Sequence, residues 1–280
     1  MGFTLTEQQA EIRGHVLRLC AGFDDAFWLP DRGWFAVALD RDKRPLDALT
    51  SNVGHCLWSG IVSDEHAAVL VERLADPRMD SGYGLRTLAS DMGAYNPMSY
   101  HNGSVWPHDT AIAVAGLMRY AHLPGAVEVA HRLANGLLDA AAAFGGRLPE
   151  LFCGFARDRF GQPVPYPTSC SPQAWASAAP LMLVRALLGV DLDVPSRTLT
   201  LRPRLPAAWG RLELDGLDVG HGQVSIDVTE DSATVSGLPD GWVLKGTATP
   251  AERRPPARGV DRAAAPSPAG ADGSTAPVGV

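Results

Sequence analysis

The chain has 280 residues, 46 % of them apolar and 20 % charged, enough for a packed core in one large domain or two small ones. A formal net charge of −7 without a lysine–arginine cluster argues against nucleic acid or an anionic membrane surface as partner. No apolar run approaches the roughly eighteen residues of a spanning helix, and Met1 to Gln9 lack the pattern of a secretory signal, so a cytoplasmic protein is expected.

Six helices are predicted. The first opens at Thr6, where Thr6-Glu-Gln-Gln9 fits a capping box, and Ile12, Val16, Leu19, Cys20 and Phe23 form its apolar stripe. An extended stretch, Trp34 to Leu39, follows, and then a helix over Asn52 to Ile61. The third starts at Ser63 with the acidic pair Asp64-Glu65 and sets Ala67, Leu70, Val71 and Leu74 on one face. The fourth, Pro107 to Ala121, is apolar nearly all round, the pattern of a helix buried on all sides. The fifth, Ala126 to Ala143, aligns Ala126, Ala130, Leu133, Leu137 and Ala141. The sixth begins at Ser171-Pro172, read as a cap followed by proline at the first helical position, and runs to Leu188 with a kink at Pro180. One-faced helices (first, third, fifth) alternate with short or fully apolar ones (second, fourth, sixth), which predicts an outer and an inner layer.

From Arg197 the period changes to two. Thr198–Leu201, Leu212–Leu214, Val224–Val228 and Trp242–Leu244 read as strands of a small antiparallel cap. The expected organisation is a helical unit over 1–194, a β cap over 195–245 and a disordered tail over 246–280, where no aromatic residue occurs.

Cys20, Cys56, Cys153 and Cys170 form no C-x-x-C pair and read as free thiols, with a zinc site at Cys153 and Cys170 as the alternative. The phosphate-loop, dinucleotide and zinc-protease motifs are absent, and neither cofactor nor metal is expected.

The polar and aromatic residues concentrate in three segments, each just before or at the start of an inner helix. They are 48–55, then 81–109 (with Arg86, Asp91 and Tyr95-Asn-Pro97), and 147–175. Loops at one end of a helical ring converge on its mouth. Aromatic rings, imidazoles and amides together suit a sugar, whose faces stack on rings and whose hydroxyls need donors and acceptors.

Four segments, Ser51-Asn-Val-Gly-His55, Tyr100-His-Asn-Gly-Ser-Val-Trp-Pro-His-Asp109, Leu148-Pro-Glu-Leu-Phe152 and Ser171-Pro-Gln-Ala-Trp175, resemble the C-terminal part of bacterial amylo-α-1,6-glucosidases. More distantly they are similar to trehalases and mannosylglycerate hydrolases. The resemblance covers roughly residues 10 to 230. It implies a mainly α fold: part of an (α/α)6 toroid, about half the ring, since six hairpins need twelve helices. It also implies an inverting hydrolase of α-glucosidic bonds, with an α-glucan or oligosaccharide as substrate.

The position matching the family's general base is Glu150, whose apolar flanks Leu148-Pro149 and Leu151-Phe152 suit a tuned carboxylate; the alternative is a structural loop glutamate. Tyr100, His101, Asn102, Trp106, His108, Asp109, Gln173 and Trp175 are the substrate-binding candidates. Each has a plainer reading: Trp106 as a core aromatic, Asp109 as a charge cap, the histidines and His55 as satisfied structural residues. Inversion needs a second carboxyl roughly 6.5–9.5 Å away. The resemblance places that acid in the other half of the ring, leaving Asp109 and Asp91 as the local substitutes. A separate N-terminal half is then the expected protein partner. The competing readings are a trehalase or epimerase on the same toroid, and a non-catalytic remnant.

Overall fold

The computed structural model describes residues 7–251. Seven helices are present among them: α1 (Glu7–Phe27), α2 (Asn52–Ser59), α3 (Asp64–Ala75), α4 (Pro107–Arg119), α5 (Ala126–Ala143), the single turn α6 (Arg157–Phe160) and α7 (Ala174–Leu188). Two short hairpins separate α1 from α2, pairing β1 (Trp28–Leu29) with β2 (Trp34–Phe35) and β3 (Ala38–Leu39) with β4 (Pro45–Leu46).

The predicted layering is visible in the packing. α4 lies at the centre, against α2 and α7 in its own row and against α5 behind, while α3 packs on α5 and α2. Its buried set includes Ala111, Ala113, Val114, Gly116 and Leu117, as an all-round apolar pattern requires. Small residues bring α2 and α4 close: a Cβ at Gly116 would lie 2.7 Å from the Gly54 carbonyl oxygen. α3 is capped as its sequence predicts, the Ser63 hydroxyl accepting from the His66 N–H at 3.3 Å.

Expectations for three of the helices are corrected. The stripe of α1 is not packed: Ile12 and Leu19 are each 59 % exposed, and only Phe23 and Phe27 reach the core. The capping residue Thr6 lies outside the described residues. α2 stops at Ser59 because Gly60 turns left-handed (φ 75°) and returns its N–H to Leu57. α7 starts at Ala174, not at Pro172: Gln173 is extended (φ −139°, ψ 133°), and its Oε1 accepts the Ala176 N–H at 3.1 Å. Nor is α7 buried all round, since Leu181 is 72 % exposed.

After α7 come β5 (Asp191–Asp193), β6 (Thr198–Leu201), β7 (Leu212–Val219), β8 (Gly222–Val228), β9 (Ala233–Ser236), β10 (Val243–Gly246) and β11 (Thr249–Ala251). They form sheets of order β10-β6-β5 and β11-β9-β8-β7, packed on a core of Leu188, Leu199, Leu201, Val219, Val224, Ile226, Val228 and Val235. The central pairings are antiparallel, as expected, but the edge pairs β10·β6 and β11·β9 are parallel. β11 also puts residues 249–251, expected in the tail, into a sheet; residues 252–280 lie outside the described residues. No described helix is long and apolar enough to cross a membrane.

Candidate active site

The N-terminal ends of α2 and α4 open on a cavity of about 410 Å³. Its wall is built from Thr50, Ser51, Asn52 and His55 at the start of α2, and from His101, Asn102, Trp106, His108 and Asp109 before and within the start of α4. Thr87 and Leu88 close it from the intervening segment. These loops are knitted by backbone bonds: Ser51 N–H to the Thr87 carbonyl, Thr87 N–H to that of Ser104, and a reciprocal pair between Val105 and Phe152 at 2.9 and 3.0 Å. The loop carrying Glu150 is thereby locked to the loop carrying Trp106.

Beneath the loops lies Arg86, 3 % exposed, with no carboxylate partner among the described residues. Its guanidinium donates to backbone carbonyls instead: Gly154 at 2.6 Å, Pro77 at 2.7 Å, Asp80 at 3.0 Å and Arg78 at 3.3 Å. The chain at Gly154 runs so close to its neighbour that a Cβ there would fall 1.7 Å from the Gly103 carbonyl oxygen. Sequence reading named Arg86 without giving it this role, because a buried arginine serving carbonyls leaves no periodic signal.

Glu150 is 9 % exposed. The Tyr100 hydroxyl donates to its Oε1 at 2.9 Å and the Cys170 N–H to its Oε2 at 3.2 Å. Its own N–H donates to the Cys170 carbonyl, fixing the backbone on the same segment. The carboxylate beside Tyr100 raises the phenol above its ordinary pKa, because ionisation breaks the hydrogen bond and sets two anions together. Glu150 does not itself line the cavity; it meets the wall through Tyr100, whose ring contacts His101 and Trp106 edge-on at 4.7 and 4.9 Å.

The aromatic residues form one cluster. Trp106 donates from Nε1 to the Tyr100 carbonyl and to Ser104 Oγ, both at 3.1 Å, and is buried yet lines the cavity. His108 stacks on Trp175 of α7 at 4.3 Å with planes 7° apart. Burial holds the His108 imidazole below its usual pKa; Asp109 and Glu150 pull it up and His55 adds to the lowering. His108 Nδ1 is buried without a partner, as is Asp109 Oδ2. The other Asp109 oxygen meets His55 Nε2 at 2.5 Å. Such orphaned polar atoms are uncommon in a protein core.

The remaining candidates divide. His101 and Asn102 are exposed and line the cavity. Gln173 uses its Oε1 as the α7 cap. Asp91 is drawn into a 2.7 Å ion pair with Arg78, which also grips Asp76, and does not line the cavity. Cys153 is buried with its thiol pushed up by burial, while Cys170 is exposed; all four cysteines are free. His55 stands in the wall through its contact with Asp109.

Comparison with known proteins bears on this arrangement. Among solved structures, GH63 mannosylglycerate hydrolase from Thermus thermophilus, solved in complex with glucose, matches at 21 % identity and a TM-score of 0.51. The match covers 63 % of this chain and 39 % of that one. The GH78 rhamnosidase of Bacillus sp. GL1 matches at 15 % identity and a TM-score of 0.54, over 88 % of this chain and 25 % of that one. At these identities the likeness is one of fold, and the chain spans about two fifths of the mannosylglycerate hydrolase and a quarter of the rhamnosidase. No curated protein sequence matches the chain significantly. Residues 3–147, just over half of the chain, match the model of the mannosylglycerate hydrolase MGH1-like glycoside hydrolase domain. The chain belongs to the MGH1-like glycoside hydrolase domain family.

Proposed function

We propose that the chain supplies the catalytic base and part of the sugar pocket of an inverting α-glucoside hydrolase of the amylo-α-1,6-glucosidase type, acting on glycogen or oligoglucosides. The observation that carries the reading is the Glu150 carboxylate, buried and oriented at both oxygens beside a cavity of imidazoles, hydroxyls, amides and an indole. A carboxylate so held keeps a lone pair for a water. It removes that water's proton as the oxygen attacks the anomeric carbon, while the glycosidic bond breaks on the opposite face and its oxygen takes a proton from an acid.

In this reading the acid lies outside the chain. Asp91 is tied to Arg78 and Asp109 to His55, while Asp109, His108 and the exposed His101 and Asn102 stand in the wall that a sugar would meet. The rows α2–α4–α7 and α3–α5 are then about half of an (α/α)6 ring, in keeping with the share of the mannosylglycerate hydrolase that is matched.

A second reading, a glycoside of a small acid such as mannosylglycerate, is favoured by the family. Against it, no arginine or lysine among the described residues lines the cavity to meet a carboxylate. α-Glucosyl fluoride separates these possibilities, because fluoride leaves without a proton donor. The chain alone is expected to hydrolyse the fluoride but not panose, whose leaving group needs protonation. Failure on the fluoride overturns the α-glucosidase reading. Hydrolysis that survives Glu150→Gln points to another base, or to an epimerase built on histidines.

A further inference from the structure

Helices α2, α4 and α7 have chemically different ends. Their C-terminal ends open on a second cleft of about 530 Å³, floored by Ala115, Met118 and Met182 and rimmed by Trp58, which is 49 % exposed. Four arginines line it: Arg119 from α4, Arg185 from α7, and Arg202 and Arg204 from the extended segment after β6. Among the described residues none of the four has a carboxylate within ion-pair distance, although seven other arginines do. Asp191 is the only acidic residue in the lining among the described residues.

Backbone bonds hold two of these side chains in place. Arg202 N–H donates to the Leu188 carbonyl at 3.1 Å and Arg204 N–H to that of Leu187 at 2.7 Å. This satisfies the end of α7 and sets alternate residues of the extended segment on one side. Helix ends account for only part of the charge: each C-terminus contributes about −0.5 elementary charge, against three arginines left over after Asp191. Positive potential therefore remains in a chain that is negative overall.

We propose that this cleft binds a phosphate monoester of a sugar. Guanidinium forks match the oxygens of a phosphate dianion, an indole packs against a sugar ring, and the volume is that of a small-ligand site. The assignment is independent of the hydrolase reading.

Calorimetric titration of the full chain with glucose 6-phosphate, inorganic phosphate and glucose tests it. Glucose 6-phosphate is expected to bind saturably and more tightly than phosphate. The Arg202→Gln/Arg204→Gln chain should bind it about tenfold or more weakly, and the Arg13→Gln/Arg18→Gln chain, with the same loss of charge on α1, should bind it unchanged. Equal affinity for phosphate and glucose 6-phosphate overturns the sugar assignment. Absent binding, or binding unaffected in the Arg202/Arg204 chain, overturns the site. Circular dichroism verifies that the double variant is folded; if it is not, Arg119→Gln is judged by the same criterion.

Discussion

Replacing Arg86 by methionine tests how the loops around the cavity are held. The arginine is 3 % exposed and joins Gly154, beside the Glu150 loop, to the turn at 77–80. Methionine fills similar apolar space but makes none of these bonds. The Gly154 carbonyl is buried and loses a charge-assisted bond of 2.6 Å, worth about 3 kcal/mol at most. The part-buried bonds to Pro77 and Asp80 add about 1 kcal/mol each, and the 3.3 Å contact to Arg78 adds little. Relief from burying a guanidinium offsets part of this, leaving a loss of about 3 kcal/mol, a large share of an ordinary domain's stability. Urea unfolding followed by far-ultraviolet circular dichroism measures it. A loss below about 1 kcal/mol, with the unfolding slope unchanged, would refute the idea that Arg86 is the clamp beneath the site.

Four further outcomes follow from the same geometry. Gly154→Ala forces a Cβ into the Gly103 carbonyl, so it should destabilise the chain by about 3 kcal/mol or prevent folding; wild-type urea stability would show that the loops slide apart freely. Tyr100→Phe removes the donor to Glu150 Oε1 and should slow α-glucosyl fluoride hydrolysis with little change in KM, whereas a pure KM effect would make Tyr100 a binding residue only. In the spectrophotometric titration, Glu150→Gln should bring the raised Tyr100 phenol back toward its ordinary value. The His108 pKa is lowered in the fold, so its contribution to stability is complete above the ordinary histidine pKa of about 6.5 and is lost as pH falls through the folded value. Melting temperatures measured between about pH 7.5 and 5 should therefore decline less steeply in His108→Gln than in the wild type; identical slopes would contradict this.

What the sequence discloses follows the range of the forces involved. α3 and α5 are legible because one face of each is apolar at helical spacing and Ser63 caps locally. The burial of α4 is legible for the same reason. The α1 stripe misleads because spacing reports a face to be covered and not what covers it. The start of α7 is misplaced because Gln173, a weaker capping type, takes the role that the sequence assigns to Ser171. The parallel edges β10·β6 and β11·β9 depend on pairings that no local pattern encodes. In the site, the residue types in the motifs were readable, and the structure brings Tyr100 to Glu150 and His108 to Trp175. The pairing of His55 with Asp109 across 54 positions, and the capture of Asp91 by Arg78, depend on tertiary placement alone.

The central claim is that Glu150 activates water. It is tested most directly by following α-glucosyl fluoride hydrolysis by proton nuclear magnetic resonance in the wild-type and Glu150→Gln chains. The account predicts β-glucose as the first product of the wild type and a fall of about a hundredfold or more in the variant. α-Glucose as first product, or a variant that keeps the wild-type rate, would contradict it.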